Sequence, residues 1–147
     1  MRRALSAVGL VVLLVIGLGA AKPGTPEAVL GDYLAALKDG EYEAAYEFIS
    51  AAMRQGKDKT AWVEQTKSFM SFADVKIFEF TVYPGKIDGD RAQVPNVLES
   101  QDRFVNALGL TEHELYTLVR EGGAWKVDSQ LLLEPALVSK WFPDPEE

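Results

Sequence analysis

Lys76-Ile77-Phe78-Glu79-Phe80-Thr81-Val82-Tyr83 is the stretch on which the fold turns. It is rich in β-branched and aromatic residues and alternates with period two, so Phe78, Phe80 and Val82 are expected on one face of a strand. Immediately upstream the period is helical: from Thr60, the residues Trp62, Val63, Thr66, Phe69 and Met70 fall on one amphipathic stripe. The change comes just after Phe72. Downstream, Ile87-Asp88-Gly89-Asp90 carries an Asp-Gly pair that supplies the positive φ of a tight hairpin, and Arg91 to Glu99 forms the returning strand. Pro95 cannot donate to a ladder, which predicts an edge or a bulge there. Gln101 to Leu110 has no clear period. His113 to Arg120 alternates again, Glu121-Gly122-Gly123-Ala124 turns, and Trp125-Lys126-Val127-Asp128 is a short last strand.

Working toward the N-terminus, Ser50 to Asp58 is polar and glycine-interrupted, the pattern of a loop. Tyr42, Ala45, Tyr46 and Ile49 predict a short second helix with both tyrosines inward. Thr25-Pro26-Glu27 opens the first helix with a capping hydroxyl, a proline whose missing N–H costs nothing, and an acid at the positive end of the dipole. Val29, Leu30, Tyr33, Leu34 and Leu37 continue it until Lys38-Asp39-Gly40. The expected order is three helices packed in an antiparallel sheet of about four strands, an α+β layout, because alternating βα units are absent. Trp62, Phe69, Met70, Phe78, Phe80 and Trp125 fit the core between the layers.

The chain has 147 residues, 48% hydrophobic and 25% charged, which suits one globular domain and excludes a fibrous or disordered protein. Residues 1–21 stand apart. Met1-Arg2-Arg3 is basic, Ala4 to Leu18 is apolar, and Gly19-Ala20-Ala21 offers the small residues of a cleavage site, the pattern of a signal peptide or an N-terminal anchor. In either case the arginines favour the cytoplasmic side and the remainder faces outward, periplasmic or extracellular. The expected domain is residues 22–142, and Pro143 to Glu147 is an acidic, proline-broken tail expected to be disordered. Without residues 1–21 the chain carries 13 basic and 22 acidic side chains, which argues against nucleic acid as a partner. With no cysteine there is no disulfide, thiolate nucleophile or acylated lipoprotein cysteine, so packing alone must hold the fold.

Three segments carry a resemblance: "TPEAVLGDYLAALKDGEYEAAYEFIS" (residues 25–50), "IDGDRAQV" (87–94) and "YTLVREGGAWKV" (116–127). Together they resemble the exported bacterial domains of the nuclear transport factor 2-like superfamily over roughly residues 25–128. The resemblance implies a strongly curved sheet wrapped around helices as a cone, with a cavity that serves enzymes in some members and binding in many. The enzymes of that superfamily that isomerise or dehydrate use a cavity carboxylate as proton shuttle, with a tyrosine or acid as oxyanion donor. Asp102, Asp128 and Glu99 are the carboxylates considered for that role, and none sits in a matching motif, so no catalytic residue is assigned.

Six residues are candidates to line a ligand pocket: Tyr33, Tyr46, Trp62, Phe80, His113 and Tyr116. Tyr33, Tyr46 and Tyr116 combine apolar area with a hydroxyl able to donate to a ligand oxygen, and core packing is the alternative use of such residues. His113 is the only histidine; facing a cavity it would be a general base between Glu112 and Glu114, and facing outward a solvated strand residue. A single histidine without cysteine excludes a multi-histidine or thiolate metal centre. Asp88-Gly89-Asp90 begins like a calcium loop, but Gln93 stands where that loop needs glycine. Gly56-Lys57 fails as a phosphate loop, because Asp58 follows where a hydroxyl is required. No cofactor is implied. Leu131-Leu132-Leu133, Leu137-Val138 and Trp141-Phe142 form an apolar segment that would cover the cone's mouth, make a homodimer contact, bind a partner or pack on the chain's own core. Two functions follow: a non-catalytic module of the cell envelope that binds a small apolar ligand or another envelope protein, or an isomerase-, dehydratase- or cyclase-like enzyme using a cavity histidine or carboxylate and a tyrosine.

Overall fold

A computed structural model describes residues 21–144. The signal or anchor expected over residues 1–21 lies, apart from Ala21, outside the described residues, as do residues 145–147 of the expected tail. Helix α1 spans Pro26–Lys38 and starts as its sequence dictates: the Thr25 hydroxyl accepts from Ala28 N at 3.3 Å, Pro26 occupies the first turn and Glu27 follows. Its inward stripe buries Leu30, Tyr33 and Leu34. Helix α2 is only Tyr42–Tyr46. Ile49, expected on that helix, instead bridges Val127, with Ser50 N donating to Val127 O at 2.9 Å and Val127 N to Phe48 O at 2.8 Å.

The segment expected to be a loop holds a one-turn helix, α3 (Ala51–Arg54), because Ser50 Oγ accepts from Met53 N at 3.1 Å while donating to Asp128 Oδ1 at 2.6 Å. Helix α4 (Lys59–Phe72) is capped by Asp58, which accepts from Ala61 N at 2.8 Å. Only Trp62 and Val63 of α4 are buried; Phe69 is 61% exposed, contrary to its expected core place, because the second half of the helix overhangs open space.

Five strands form one antiparallel sheet in the order β1-β3-β4-β5: β1 (Lys76–Val82), β2 (Lys86–Asp88), β3 (Arg91–Gln101), β4 (Thr111–Glu121) and β5 (Ala124–Leu132). β1 pairs with the second half of β3 and β2 with its first three residues, so the two short strands together make one broken edge. Pro95 is therefore on a central strand rather than an edge. Its carbonyl accepts from Tyr83 N at 2.9 Å, so the donor it lacks would have faced the gap between β1 and β2, where it is not missed. At that gap Gly85 lies so close to β3 that a Cβ would sit 2.6 Å from Gln93 O. The β4–β5 turn has positive φ at both Gly122 (58°) and Gly123 (81°), which only glycine adopts freely and which matches the twist of the strands.

Two register shifts correct the strict alternation. A bulge between Ile77 and Glu79 leaves Phe78 52% exposed, off the face shared by Ile77, Phe80 and Val82. A second shift between Thr117 and Leu118 displaces Asp128 of β5 from the ladder. β5 is longer than its expected four residues and takes in Leu131 and Leu132; the chain then turns into α5 (Pro135–Trp141).

Two apolar clusters result. The main core lies between the inner sheet face and α1, α2 and α4, around Leu30, Leu34, Ile49, Val94, Leu118 and Val127, all essentially inaccessible. A smaller cluster on the outer face joins Leu115, Leu133 and Phe142 with Tyr83, Val97, Val138 and Trp141. Of the C-terminal apolar segment, Leu133, Val138, Trp141 and Phe142 pack on the chain's own outer face, while Leu131, Leu132 and Leu137 stay largely exposed.

Candidate functional site

Beyond the core, α1 and the second half of α4 diverge from the sheet and leave a cavity of about 580 Å³. Tyr33, Leu34 and Leu37 of α1 and Trp62, Thr66, Phe69 and Met70 of α4 form one wall. Leu98 and Ser100 of β3, Glu112, Glu114 and Tyr116 of β4, and Gln130 and Leu132 of β5 form the other. Phe104 and Val105, from the β3–β4 loop, stand at the rim, with the Phe104 ring 5.2 Å from that of Phe72.

Glu114 is the centre of the polar wall. It is fully buried, and its two carboxylate oxygens are held separately: Asn96 Nδ2 donates to Oε2 at 2.9 Å, and Gln130 Nε2 donates to Oε1. The period-two alternation of β3, β4 and β5 places all three side chains on the inner face. Burial pushes the Glu114 carboxyl above the usual carboxylate range; the donated hydrogen bonds pull the other way, and the like charge of Glu112 adds to the rise. Tyr116, next along the same face, interacts with Glu114, and burial followed by that carboxylate's charge raises its phenol well above the usual value. The Tyr33 phenol is raised for the same two reasons. Both tyrosines therefore stay protonated as donors. Glu112 lies nearer the exterior and accepts from Ser100 Oγ at 3.2 Å. Among the described residues, no lysine, arginine or histidine lines the cavity.

The six candidate residues divide. Tyr33, Trp62 and Tyr116 line the cavity together. Tyr46 sits behind them at the closed end, its ring 5.8 Å from Trp62 and 4.2 Å beneath the Arg54 guanidinium, its hydroxyl donating to Lys57 O at 3.1 Å. Phe80 packs against the main core from β1 without lining the space. His113 lies on the opposite face of the sheet from Glu112 and Glu114. Its ring meets Phe142 edge-on at 5.0 Å, inside a second, outer hollow of about 560 Å³ with Leu133, Pro135 and Val138.

Of the three carboxylates considered as bases, Asp102 lines the cavity at its rim, and Asp128 and Glu99 lie outside it. Asp128 receives the Ser50 hydroxyl, and Glu99 is exposed on the outer face. Asp102 accepts the amides of Phe104 and Val105, each at 2.7 Å, and of Asn106 at 3.1 Å. Those amides hold its carboxyl below the usual range and fix the rim loop. Glu114, Asn96 and Gln130 were not among the candidates. The available signal was their shared face: once β3 and β4 are paired through Asn96 and Glu114, two polar side chains stand opposite each other on the inner face, beside the core residues Val94, Tyr116 and Leu118. Among the described residues, no group of three or more acidic or histidine side chains is arranged to hold a metal ion.

Neither protein-family models nor curated proteins match the sequence. Solved structures do. A SEC-C motif-containing protein from Rhodopseudomonas palustris superposes with a TM-score of 0.58 at 17% identity, covering 76% of this chain and 80% of that one. A proposed ketosteroid isomerase from Shewanella frigidimarina gives 0.53 at 18% identity over 74% of this chain and 95% of its own. A nuclear transport factor 2-like protein of unknown function from Cytophaga hutchinsonii gives 0.46 at 11% identity over 80% and 98%. With helices laid on the inner face of an open antiparallel sheet, as the resemblance to nuclear transport factor 2-like domains implied, the described domain has an α+β fold that it shares with the Rhodopseudomonas and Shewanella proteins.

Proposed function

We propose that this chain is an exported, non-catalytic binding domain whose cavity takes one small, largely apolar ligand. The observation that carries the reading is the unfilled cavity of about 580 Å³ beside a well-packed core, walled by aromatic and aliphatic side chains with a few polar groups on one side, the usual make-up of a small-molecule site. The amino-terminal basic and apolar run supports export, and amino-terminal sequencing of the protein from an envelope fraction is expected to begin after Ala21 if the run is cleaved.

Titration of the full chain with the neutral, environment-sensitive dye Nile red tests the binding function. Saturable one-to-one fluorescence is expected, together with its loss in Thr66→Trp, which fills the space from a half-exposed position on α4 without touching the core. A linear, non-saturating response that Thr66→Trp leaves unchanged would sink the reading.

An isomerase- or dehydratase-like activity is the second reading, and Glu114 is the observation that favours it: a buried carboxylate with a raised pKa, beside two tyrosines that keep their protons. Binding ranks first because Asn96 and Gln130 already engage both oxygens. Deuterium exchange at the carbon beside the carbonyl of a β,γ-unsaturated cyclic ketone, abolished in Glu114→Gln, would reverse that order.

A further inference from the structure

We infer that the ligand of this cavity is an organic cation, an apolar body carrying an amine or quaternary ammonium group directed at Glu114. The inference rests on the binding reading above and names the class of molecule that binding would select. Glu114 is inaccessible to solvent and lies on the wall of the cavity, yet the hydrogen bonds it receives come only from neutral groups, two amides and the Tyr116 phenol. The other carboxylate on the same wall, Glu112, is bound by a hydroxyl. No cationic side chain lines the space among the described residues, and the ion pairs formed by Lys38, Lys59, Lys67 and Lys76 all involve acids outside the cavity lining. The cavity therefore gathers three carboxylates, Asp102 at the rim, Glu112 and the buried Glu114, and nothing of opposite sign. An anion entering it would meet like charge, and a neutral apolar molecule would leave Glu114 as costly as before.

A cation answers both problems. It supplies the counter-charge that burial makes valuable, and its body meets the apolar wall. Tyr33, Trp62 and Tyr116 line the same space, and the electron-rich face of an aromatic ring attracts a positive charge and repels a negative one. Glu112 and Glu114 are two residues apart on one strand face, roughly 7 Å along the strand, so a monovalent head group directed at the buried acid is also within the field of the outer one. The volume suits a compact hydrocarbon rather than a long chain.

Three molecules of one shape separate charge from size: adamantylammonium, adamantanol and adamantanecarboxylate, each titrated calorimetrically into the full chain at neutral pH. The ammonium is expected to bind about tenfold more tightly than the alcohol and about a hundredfold more tightly than the carboxylate. Glu114→Gln is expected to bring the ammonium to the level of the alcohol. Glu112→Gln, at a partly exposed position, is expected to narrow the same gap in part, so the inference stands or falls even where the buried variant does not fold. Equal affinity for ammonium and alcohol in the wild-type chain overturns the cation, as does a preference that neither substitution changes. Nile red binding with no binding of the ammonium also overturns it while leaving the binding domain intact; failure of Nile red removes the domain's proposed function itself.

Discussion

The two faces of the sheet carry hollows of nearly equal size and opposite chemistry. The inner one, about 580 Å³, has a buried carboxylate, two further acids and two protonated phenols. The outer one, about 560 Å³, has His113 against Phe142 and an apolar surround from Leu133 to Val138. His113 is flanked in the chain by Glu112 and Glu114, yet the pleat sends neighbours to opposite sides, so the buried Glu114 and the histidine do not share a site, while Glu112 borders both hollows. Adjacency along a strand separates groups that adjacency on a helix would bring together. A constellation such as Glu-His-Glu in a strand is two sites, one on each face.

The sharpest way to break this comparison is by packing. Leu118 is inaccessible at the centre of the inner core, and Leu118→Ala is expected to cost about 2–5 kcal/mol in urea unfolding. Phe142, in the small outer cluster and 9% exposed, is expected to cost less when changed to Ala, about 1–2 kcal/mol, because α5 can settle onto the sheet. An equal loss for both would mean that the outer face is as much a core as the inner one.

Next comes pH. The folded-state pKa of Glu114 is raised, so the native chain binds its proton more tightly than the unfolded one, and stability contributed at this site falls as pH rises from the ordinary carboxylate value through the folded one. Glu112 on β4 repels it, Tyr116 on β4 and Tyr33 on α1 stay neutral there, and Asn96 and Gln130 carry no charge. Asp102 behaves in the opposite sense: its folded-state pKa is lowered, so its contribution is lost as pH falls from the ordinary value through the folded one. Glu114→Gln is expected to flatten the fall above the ordinary carboxylate value, and Asp102→Asn to flatten the loss below it, both measured as unfolding free energy against pH. The smallest effect belongs to His113→Asn, which is expected to leave Nile red binding unchanged, since His113 faces the other hollow; a weakened signal would join the two faces after all.

How much of this was legible follows from where the determining interactions lie. Helix α1, the Asp88-Gly89 hairpin and the Gly122-Gly123 turn were legible because each is specified locally, by a cap or by a positive φ. The bulge at Phe78 was not, since it depends on the register that β1 takes against β3, residues later in the chain. Ile49 has the spacing of the helix before it, but its bridge to Val127 settles its place, and that partner is far away in sequence. For the site, Tyr33, Trp62 and Tyr116 were found through type and face. Glu114 escaped because a carboxylate in a strand has no local sign of burial; only the pairing with Asn96 and the approach of Gln130 make it an interior group.

The gap between β1 and β2 also governs how the chain behaves in company. A continuous outer strand presents a row of free amides and carbonyls on which another molecule's strand can grow, the usual seed of aggregation. Here that border is cut into pieces of seven and three residues at Tyr83 to Gly85, where Gly85 N is already taken by Glu27. The opposite border is partly occupied by the Phe48 to Ser50 segment lying along β5. Neither side offers an incoming strand a long template, which suits a chain held together without covalent cross-links.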